Sequence, residues 1–374
     1  MTAPQGVTYA AAGVDTHAGD KAVELMKDAV RATHGPQVLG GVGGFAGLYD
    51  ASALVGYRRP LLATSTDGVG TKVAIAQALD IHDTIGFDLV GMVVDDIVVV
   101  GAKPLFMTDY IACGRVVPER IAGIVRGIAA ACEVAGTALV GGETAEHPGL
   151  LGPDEYDVAG AATGVVEADA LLGPDRVRAG DVLVALGSSG LHSNGYSLVR
   201  KVIEIAGWGL ERHVPDLGRT LGEELLVPTR VYATDCLALV ERSAGGVHAF
   251  SHVTGGGLAA NVARVLPAGL VADVERGSWV LPPVFEMVRT LGQVPWGDLE
   301  STLNLGVGMV AIVAPEAVDG VLAHAAELGL PAWELGAVRD LDPLRDVAGD
   351  SELVTGTKGV QAGAVRMAGS YRTA

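Results

Sequence analysis

Thr66-Asp67-Gly68-Val69-Gly70-Thr71-Lys72 stands between an apolar run, Pro60 to Thr64, and a stretch from Thr71 to Leu79 with helical spacing. The spacing predicts a short buried strand, then Asp67 at a strand-to-loop turn, then a helix. Two further clusters share its chemistry: Gly141-Gly142-Glu143-Thr144-Ala145-Glu146 and Gly190-Leu191-His192-Ser193-Asn194-Gly195-Tyr196. Each sets a carboxylate or a histidine beside glycines whose backbone N–H groups can approach an anion. Three such clusters in one chain point to an enzyme that handles phosphate. The Walker spacing GxxxxGK[ST] is absent, so that loop is excluded.

Working outward, Asp15 or Thr16 is placed to cap a helix through Lys21, Leu25, Met26 and Val30, and the run Gly40 to Phe45 then reads as a loop. Ile85, Leu89, Met92, Val93, Ile97 and Val100 recur at three and four, which predicts a buried helix carrying Asp88, Asp95 and Asp96. A strand at Leu105–Ala112, a helix at Pro118–Ala135, a strand at Thr137–Val140 feeding a Gly141-Gly142-Glu143 turn, and a strand at Tyr156–Val166 follow. Glycine, proline and mixed charges between Ala168 and Gly180 mark a domain boundary. Beyond it come a strand from Val182, helices at Tyr196–Ala206 and Pro228–Val240, a strand at Val247–Val253, a helix at Gly257–Val265 and a strand at Val307–Val313. Helices and strands alternate throughout, so the class is α/β, with strand order left open. From Asp350 onward glycine is frequent and periodicity weak, the pattern of a mobile tail.

At 374 residues the chain exceeds one ordinary core, since domains run about 100 to 200 residues, and two domains are expected. Its 49% hydrophobic content is globular, and its net charge of −18 repels nucleic acid and anionic membranes. An acidic protein that takes anionic substrates needs a divalent metal to neutralise them. Cys113, Cys132 and Cys236 are widely spaced, which suggests reduced core thiols rather than disulfides or a zinc site. Apolar runs are broken by Asp or Gly before bilayer length, and the expected location is the cytoplasm.

Several motifs admit two readings. Asp67 either holds a metal, with Gly68 and Gly70 exposing amides and Lys72 facing phosphate, or closes an Asp-Gly turn. Asp95-Asp96 interrupts an apolar helix, where charge must be compensated by a metal, a cation or hydrogen-bond donors; Lys103 and Arg115 are candidate partners for Asp95. Asp88 and Asp95 share a helix face, which also fits an acidic solvent stripe. Glu143 follows a strand end as a metal ligand or a turn stabiliser. His192 precedes a helix N-terminus, able to move a proton or to sit solvated beside a cap made by Ser193 or Asn194. His252-Val253-Thr254-Gly255-Gly256-Gly257 offers a second phosphate subsite or a place of close packing.

Together and in this order the motifs resemble the aminoimidazole ribonucleotide synthetase family of purine biosynthesis, over roughly residues 7 to 340. The phrase His192-Ser193-Asn194-Gly195-Tyr196-Ser197-Leu198-Val199-Arg200 is specific to that family. The resemblance implies an ATP-binding and dimerisation domain over 1–170, a C-terminal α/β sandwich with substrate and phosphate loops over 171–345, and a tail over 346–374. It implies that N-terminal sheets of two subunits pair into a barrel across a homodimer. It further implies ATP-dependent ring closure of formylglycinamidine ribonucleotide, with Mg2+ and room for a monovalent cation. Position by position, Asp67, Asp96 and Glu143 match the magnesium and nucleotide group, with Lys27, Lys72, Gly68 and Gly70 beside the nucleotide. Gly43, Gly44 and Phe45 match a mobile glycine-rich segment. His192, Ser193 and Asn194 match the substrate-side catalytic loop, Thr254, Gly255 and Gly256 a phosphate-binding turn, and His192, Asp96 and Lys27 the catalytic set.

Thiamine-phosphate kinase, selenophosphate synthetase, a hydrogenase maturation factor and formylglycinamidine ribonucleotide synthetase resemble the same acidic and glycine motifs. Selenophosphate synthesis wants a reactive Cys or selenocysteine in the N-terminal glycine segment, whereas the first cysteine here is Cys113. The kinase lacks the His192 loop in this form.

Overall fold

The structure, a computed structural model, describes residues 13, 16–347, 350, 352–358 and 363–373. Asp15, one of the two candidate caps of the first helix, and the start of the family likeness lie outside them.

Helix α1 (Thr16–Ala32) opens the first half, and the glycine run lies between the two-residue strands Val38–Leu39 and Leu48–Tyr49, which pair antiparallel. Then come β1 (Pro60–Gly68), α2 (Val73–Leu79), α3 (Ile85–Val98), β2 (Lys103–Cys113), α4 (Pro118–Ala135), β3 (Ala138–Glu146) and β4 (Tyr156–Glu167). The four strands form one sheet in the order β1-β4-β2-β3, antiparallel except for the parallel pair β2–β3. Pro118 at the first turn and Gly136 in the left-handed conformation, φ +67°, delimit α4 where the sequence places it. Helices α3 and α4 cover one face of the sheet, burying Met107, Ile111, Val158 and Ala162. They cross closely enough that a Cβ on Gly127 would collide with the carbonyl of Asp83, and one on Gly86 with the backbone of Gly127.

The second half runs β5 (Val182–Gly187), α5 (Tyr196–Ala206), α6 (Leu221–Leu225), α7 (Ala233–Arg242), β6 (Val247–His252), α8 (Gly257–Arg264), β7 (Leu270–Glu275), α9 (Pro283–Gly292), α10 (Trp296–Glu300), β8 (Val307–Val313), α11 (Val318–Glu327), β9 (Ala332–Asp340), β10 (Leu353–Thr355) and β11 (Ala364–Ala368). Seven strands join in the order β6-β8-β5-β9-β7-β11-β10, with only β7–β11 parallel. Side chains alternate across β5 and β8: Leu183, Ala185, Val310 and Ile312 pack with α8, while Val184, Leu186, Met309 and Ala311 join a core continuous with the first half. The two halves therefore share apolar packing.

Four expectations change. The segment Pro60–Thr64 is an edge strand, with no residue fully buried and Leu62 66% exposed, because helices cover only the other sheet face. The segment Gly141-Gly142-Glu143 is no turn: the parallel ladder with β2 carries β3 on to Glu146. Helix α7 begins at Ala233, five residues after Pro228, because Thr229 and Tyr232 spend their backbone N–H groups on Asp88 and Asp95. Beyond residue 345, β11 lies inside the main sheet with Val365 buried, held by the ion pairs of Arg366 with Asp346 and Asp350, so these described residues are not a loose tail. All three cysteines are buried and unpaired.

Replacing Gly127 by Ala forces α4 away from the Asp83 turn and is expected to destabilise the fold by about 1–3 kcal/mol, read as a lower urea midpoint at unchanged slope. An unchanged midpoint would show that the crossing tolerates the added methyl.

Candidate functional site

The junction between the halves is made by two of the glycine clusters. Lys72 enters from the end of the Thr66–Lys72 segment and is fully buried; its Nζ donates to Asp88 Oδ1 at 2.7 Å, to the His192 carbonyl at 3.0 Å and to the Val227 carbonyl at 2.7 Å. With three protons on three protein acceptors, Lys72 has none left for phosphate, and it leaves the nucleotide set. Asp88 also accepts from Thr229 N at 3.0 Å and Thr229 Oγ1 at 2.6 Å. Burial pushes the Lys72 ammonium down and the Asp88 carboxyl up, and their mutual attraction opposes both shifts. The loops also meet where Ser193 Oγ donates to the Val69 carbonyl at 2.6 Å and where the Thr71 and Ser197 hydroxyls lie 3.1 Å apart.

Helix α3 sends its adjacent acids to different tasks. Asp95 is buried and takes the Tyr232 N–H, 3.0 Å from each of its oxygens; burial pushes its carboxyl up to about 7. Neither Lys103 nor Arg115 pairs with it, and with Asp88 also buried the acidic solvent stripe is excluded. Asp96, whose side chain is 42% exposed, bonds the Nδ1 of His252 at 2.9 Å. The His252 side chain is buried and its Nε2 has no hydrogen-bond partner among the described residues. Burial lowers the basicity of this imidazole, but the Asp96 hydrogen bond and the charges of Asp95, Asp96 and Asp67 outweigh it, and the net shift is upward. Asp67 is thus brought to the same place from the end of β1; it is exposed and accepts from Gly68 N at 2.7 Å.

The His192 ring is enclosed. It sits at φ +61°, its Nε2 accepts the Ser189 N–H at 3.1 Å, its Nδ1 has no partner among the described residues, and the ring abuts Gly308 beside Tyr232. Burial, then the charges of His252, Lys72 and Arg230, hold it well below its ordinary value, so it is neutral at pH 7. His252 is the histidine poised beside the open acids; sequence reasoning marked its segment as a phosphate subsite but missed the pairing with Asp96, 156 residues away. Asn194 reaches Met92 Sδ at 3.1 Å and flanks Gly255, while the Thr254–Gly257 turn is braced by Asn261 Nδ2, 2.8 Å from the Gly257 carbonyl and 3.2 Å from that of Thr254. Gly195 and Gly256 occupy the N-cap positions of α5 and α8 with no side-chain cap; the Leu198 and Gly257 N–H groups turn back to the Gly195 and Thr254 carbonyls, and the other first-turn N–H groups are left without a side-chain acceptor.

Glu143 lies elsewhere. Asp67, Gly160, Asp109 and Gly142 stand opposite one another across β1, β4, β2 and β3, so Glu143, the next residue, points to the other face about 14 Å away along the sheet. Among the described residues no three His, Cys, Asp or Glu side chains are placed to share a metal. Glu143 instead joins Gly43 and Gly44 around a cavity of about 620 Å3 between α1 and β3. Asp109 lines it too, its carboxyl over Gly142 and pushed up by burial to about 7, a residue that sequence reasoning missed. Lys27 pairs with Glu24 at 2.5 Å on α1 and is not in the cavity wall. Phe45 lines the cavity and is fully exposed.

This geometry, two α/β halves with acids and uncapped glycine turns at their junction, defines the AIR synthase related class, and the chain belongs to that family. The family's N-terminal domain model matches residues 49–166 and its C-terminal domain model residues 178–345. The chain is 51% identical over 331 residues to phosphoribosylformylglycinamidine cyclo-ligase of Geobacillus kaustophilus, covering 88% of this chain and 95% of that one. It is 49% identical over 333 residues to the cyclo-ligase of Desulfitobacterium hafniense, covering 89% and 97%. In fold it is similar to thiamine-monophosphate kinase of Stenotrophomonas maltophilia, with TM-score 0.66 and 20% identity over 92% of this chain and 96% of that one. Hydrogenase maturation protein HypE in complex with ATP gives 0.61 and 19% over 89% of each.

Lys72→Met strands the Asp88 charge in the interior and is expected to destabilise by about 3–5 kcal/mol, with Asp88→Asn added to it restoring part of the loss; additive losses in urea titrations would refute the coupling. Because the folded-state basicity of His252 is raised, the stabilisation from its pair with Asp96 is full below about pH 6.5 and fades as pH rises through the folded value. The stability gap between the parent protein and Asp96→Asn, measured in EDTA, should therefore shrink on raising the pH; a gap that widens refutes the pair.

Proposed function

We propose that this chain closes the imidazole ring of aminoimidazole ribonucleotide from formylglycinamidine ribonucleotide and ATP, releasing ADP and phosphate. The observation that carries the reading is the meeting of Asp67, Asp96 and His252 with the Asn194 and Gly255 turns at the junction, in a chain about half identical to cyclo-ligases over nearly nine-tenths of its length. In the reaction the formamide oxygen takes the γ-phosphoryl group, the amidine nitrogen attacks that carbon, and the C–O bond breaks to release phosphate. Proton traffic falls to His252: its Nδ1 is held by Asp96, its Nε2 has no partner among the described residues, and the neighbouring carboxylates raise its basicity, which favours the protonated ring. The open N–H groups at the starts of α5 and α8, with Asn194, suit the anionic end of the ribonucleotide.

Asp67 and Asp96 suit magnesium, which takes one or two carboxylates and completes its shell with water and phosphate oxygens, so a three-carboxylate cage is unnecessary. The ion, when bound, neutralises the triphosphate. Glu143 and the glycine loop, across the sheet, suit the nucleotide. That division fits a homodimer: among the described residues the outer edge of the nine-residue strand β1 has no partner, and the face outside the helices exposes Leu62 and, at 40%, Tyr110. A second copy pairing there would cover that edge and that face.

Purified protein given ATP, Mg2+ and formylglycinamidine ribonucleotide should yield ADP, phosphate and the imidazole product in equal amounts; ADP formation indifferent to the ribonucleotide would sink the proposal. Asp67→Asn should raise the Mg2+ needed for half-maximal rate roughly tenfold, and an unchanged requirement removes Asp67 from the metal site.

A further inference from the structure

The short segment after α10 lies beneath both glycine turns at once. A Cβ on Gly257 would collide with the carbonyl of Glu300, and one on Gly195 with the side chain of Leu303. One residue further on, Asn304 Nδ2 donates to the carbonyls of Gly190 at 3.0 Å and Leu191 at 3.1 Å. Residues 300–304 are therefore a platform whose height sets where the two turns stand. Glycine at 195 and 257 lets that platform touch backbone directly, with φ of +79° and +74°.

What holds the platform comes from the far end of the chain. Tyr371 stacks on Trp296, ring centroids 4.9 Å apart at 28°, and meets Trp279 edge-on at 5.4 Å. Its hydroxyl donates to Glu300 Oε1 at 2.8 Å. Arg276 grips the same carboxylate from the other side, Nε to Oε1 at 2.6 Å and Nη2 to Oε2 at 3.1 Å, and with Nη1 donates to the Met367 carbonyl of β11 at 2.7 Å. Glu300 and Arg276 are largely buried, so these charge-assisted bonds are little screened. All of this clasp that follows residue 345 lies outside the matched family domain.

We infer that Tyr371 is a positioning residue: through Glu300 it holds the 300–304 platform and so places both glycine turns for the anionic ribonucleotide. The inference rests on the proposed role of those turns. Removing the clasp lets the platform settle away from Gly195 and Gly257, which alters the fit of the ribonucleotide while leaving the nucleotide cavity, at the β3 edge of the first sheet, untouched.

The test compares Tyr371→Ala, Tyr371→Phe and Asn194→Ala in the full chain, with KM measured separately for the ribonucleotide and for ATP and the unfolding temperature followed in parallel. Tyr371→Ala should raise the ribonucleotide KM roughly tenfold with the ATP KM within about twofold, and Tyr371→Phe, which keeps the stack and loses the hydrogen bond, should fall between it and the parent protein. If Tyr371→Ala does not fold, Tyr371→Phe decides alone, with a rise of about threefold expected. Equal changes in both KM values, or none, overturn the inference. An unchanged ribonucleotide KM in the tyrosine variants together with a raised one in Asn194→Ala defeats the tail's role and leaves the turns their substrate. Unchanged values in all three defeat the reading of the turns as well.

Discussion

The buried pair of Lys72 and Asp88 is the contact on which the arrangement of the site depends. Two charges without water are tolerable only when every remaining donor and acceptor is met, and here the ammonium is completed by carbonyls from two loops of the second half. The requirement is directional. Only one placement of the Val69–Lys72 loop against the His192 loop satisfies it, and that placement brings Asp67 and Asp96 up to His252. The junction's apolar core supplies attraction between the halves, and the ion pair supplies register.

From that register follows a division of labour among like residues. Asp88 and Asp95 face inward and fasten the strand of chain between Thr229 and Tyr232, whereas Asp96, one step round the helix, faces out to His252. The two histidines divide similarly: the His192 main chain serves Lys72 and its ring fills the space that Gly308 leaves, while the His252 ring stands beside the open acids. Charge alone does not distinguish a residue that braces the fold from one left open to a ligand here; the number of protein partners does.

Much of the fold was legible. Pro118 and Gly136 bracket α4, the three-and-four spacing from Ile85 defines α3, and the family phrase from His192 to Arg200 identifies the class. The parts that misled share a cause, which is that a local pattern is silent about the partner on the other side. Lys72 beside glycines looks the same whether phosphate or Asp88 receives it. The apolar run Pro60–Thr64 looks buried because nothing local says that helices cover one sheet face only. Glu143 looked continuous with Asp67 in chemistry, but the register of β3 against β2 shifts by one residue between Leu139 and Gly141, and that irregularity, which no local pattern announces, sets Glu143 opposite Tyr110 rather than on the face of Asp109. The pairing of His252 with Asp96 became visible only when α3 and β6, bearing residues 156 apart, were in contact.

Strand β11 lies between β7 and β10 in the middle of the second sheet, although it is the last regular strand of that sheet to leave the ribosome. Until it emerges, β7 presents a bare edge beside finished neighbours, and the clasp on Glu300 has no tyrosine. The nascent protein thus carries a sheet with a vacant lane until Ala364–Ala368 has emerged, and the platform under the turns at Gly195 and Gly257 acquires the Tyr371 contact later still.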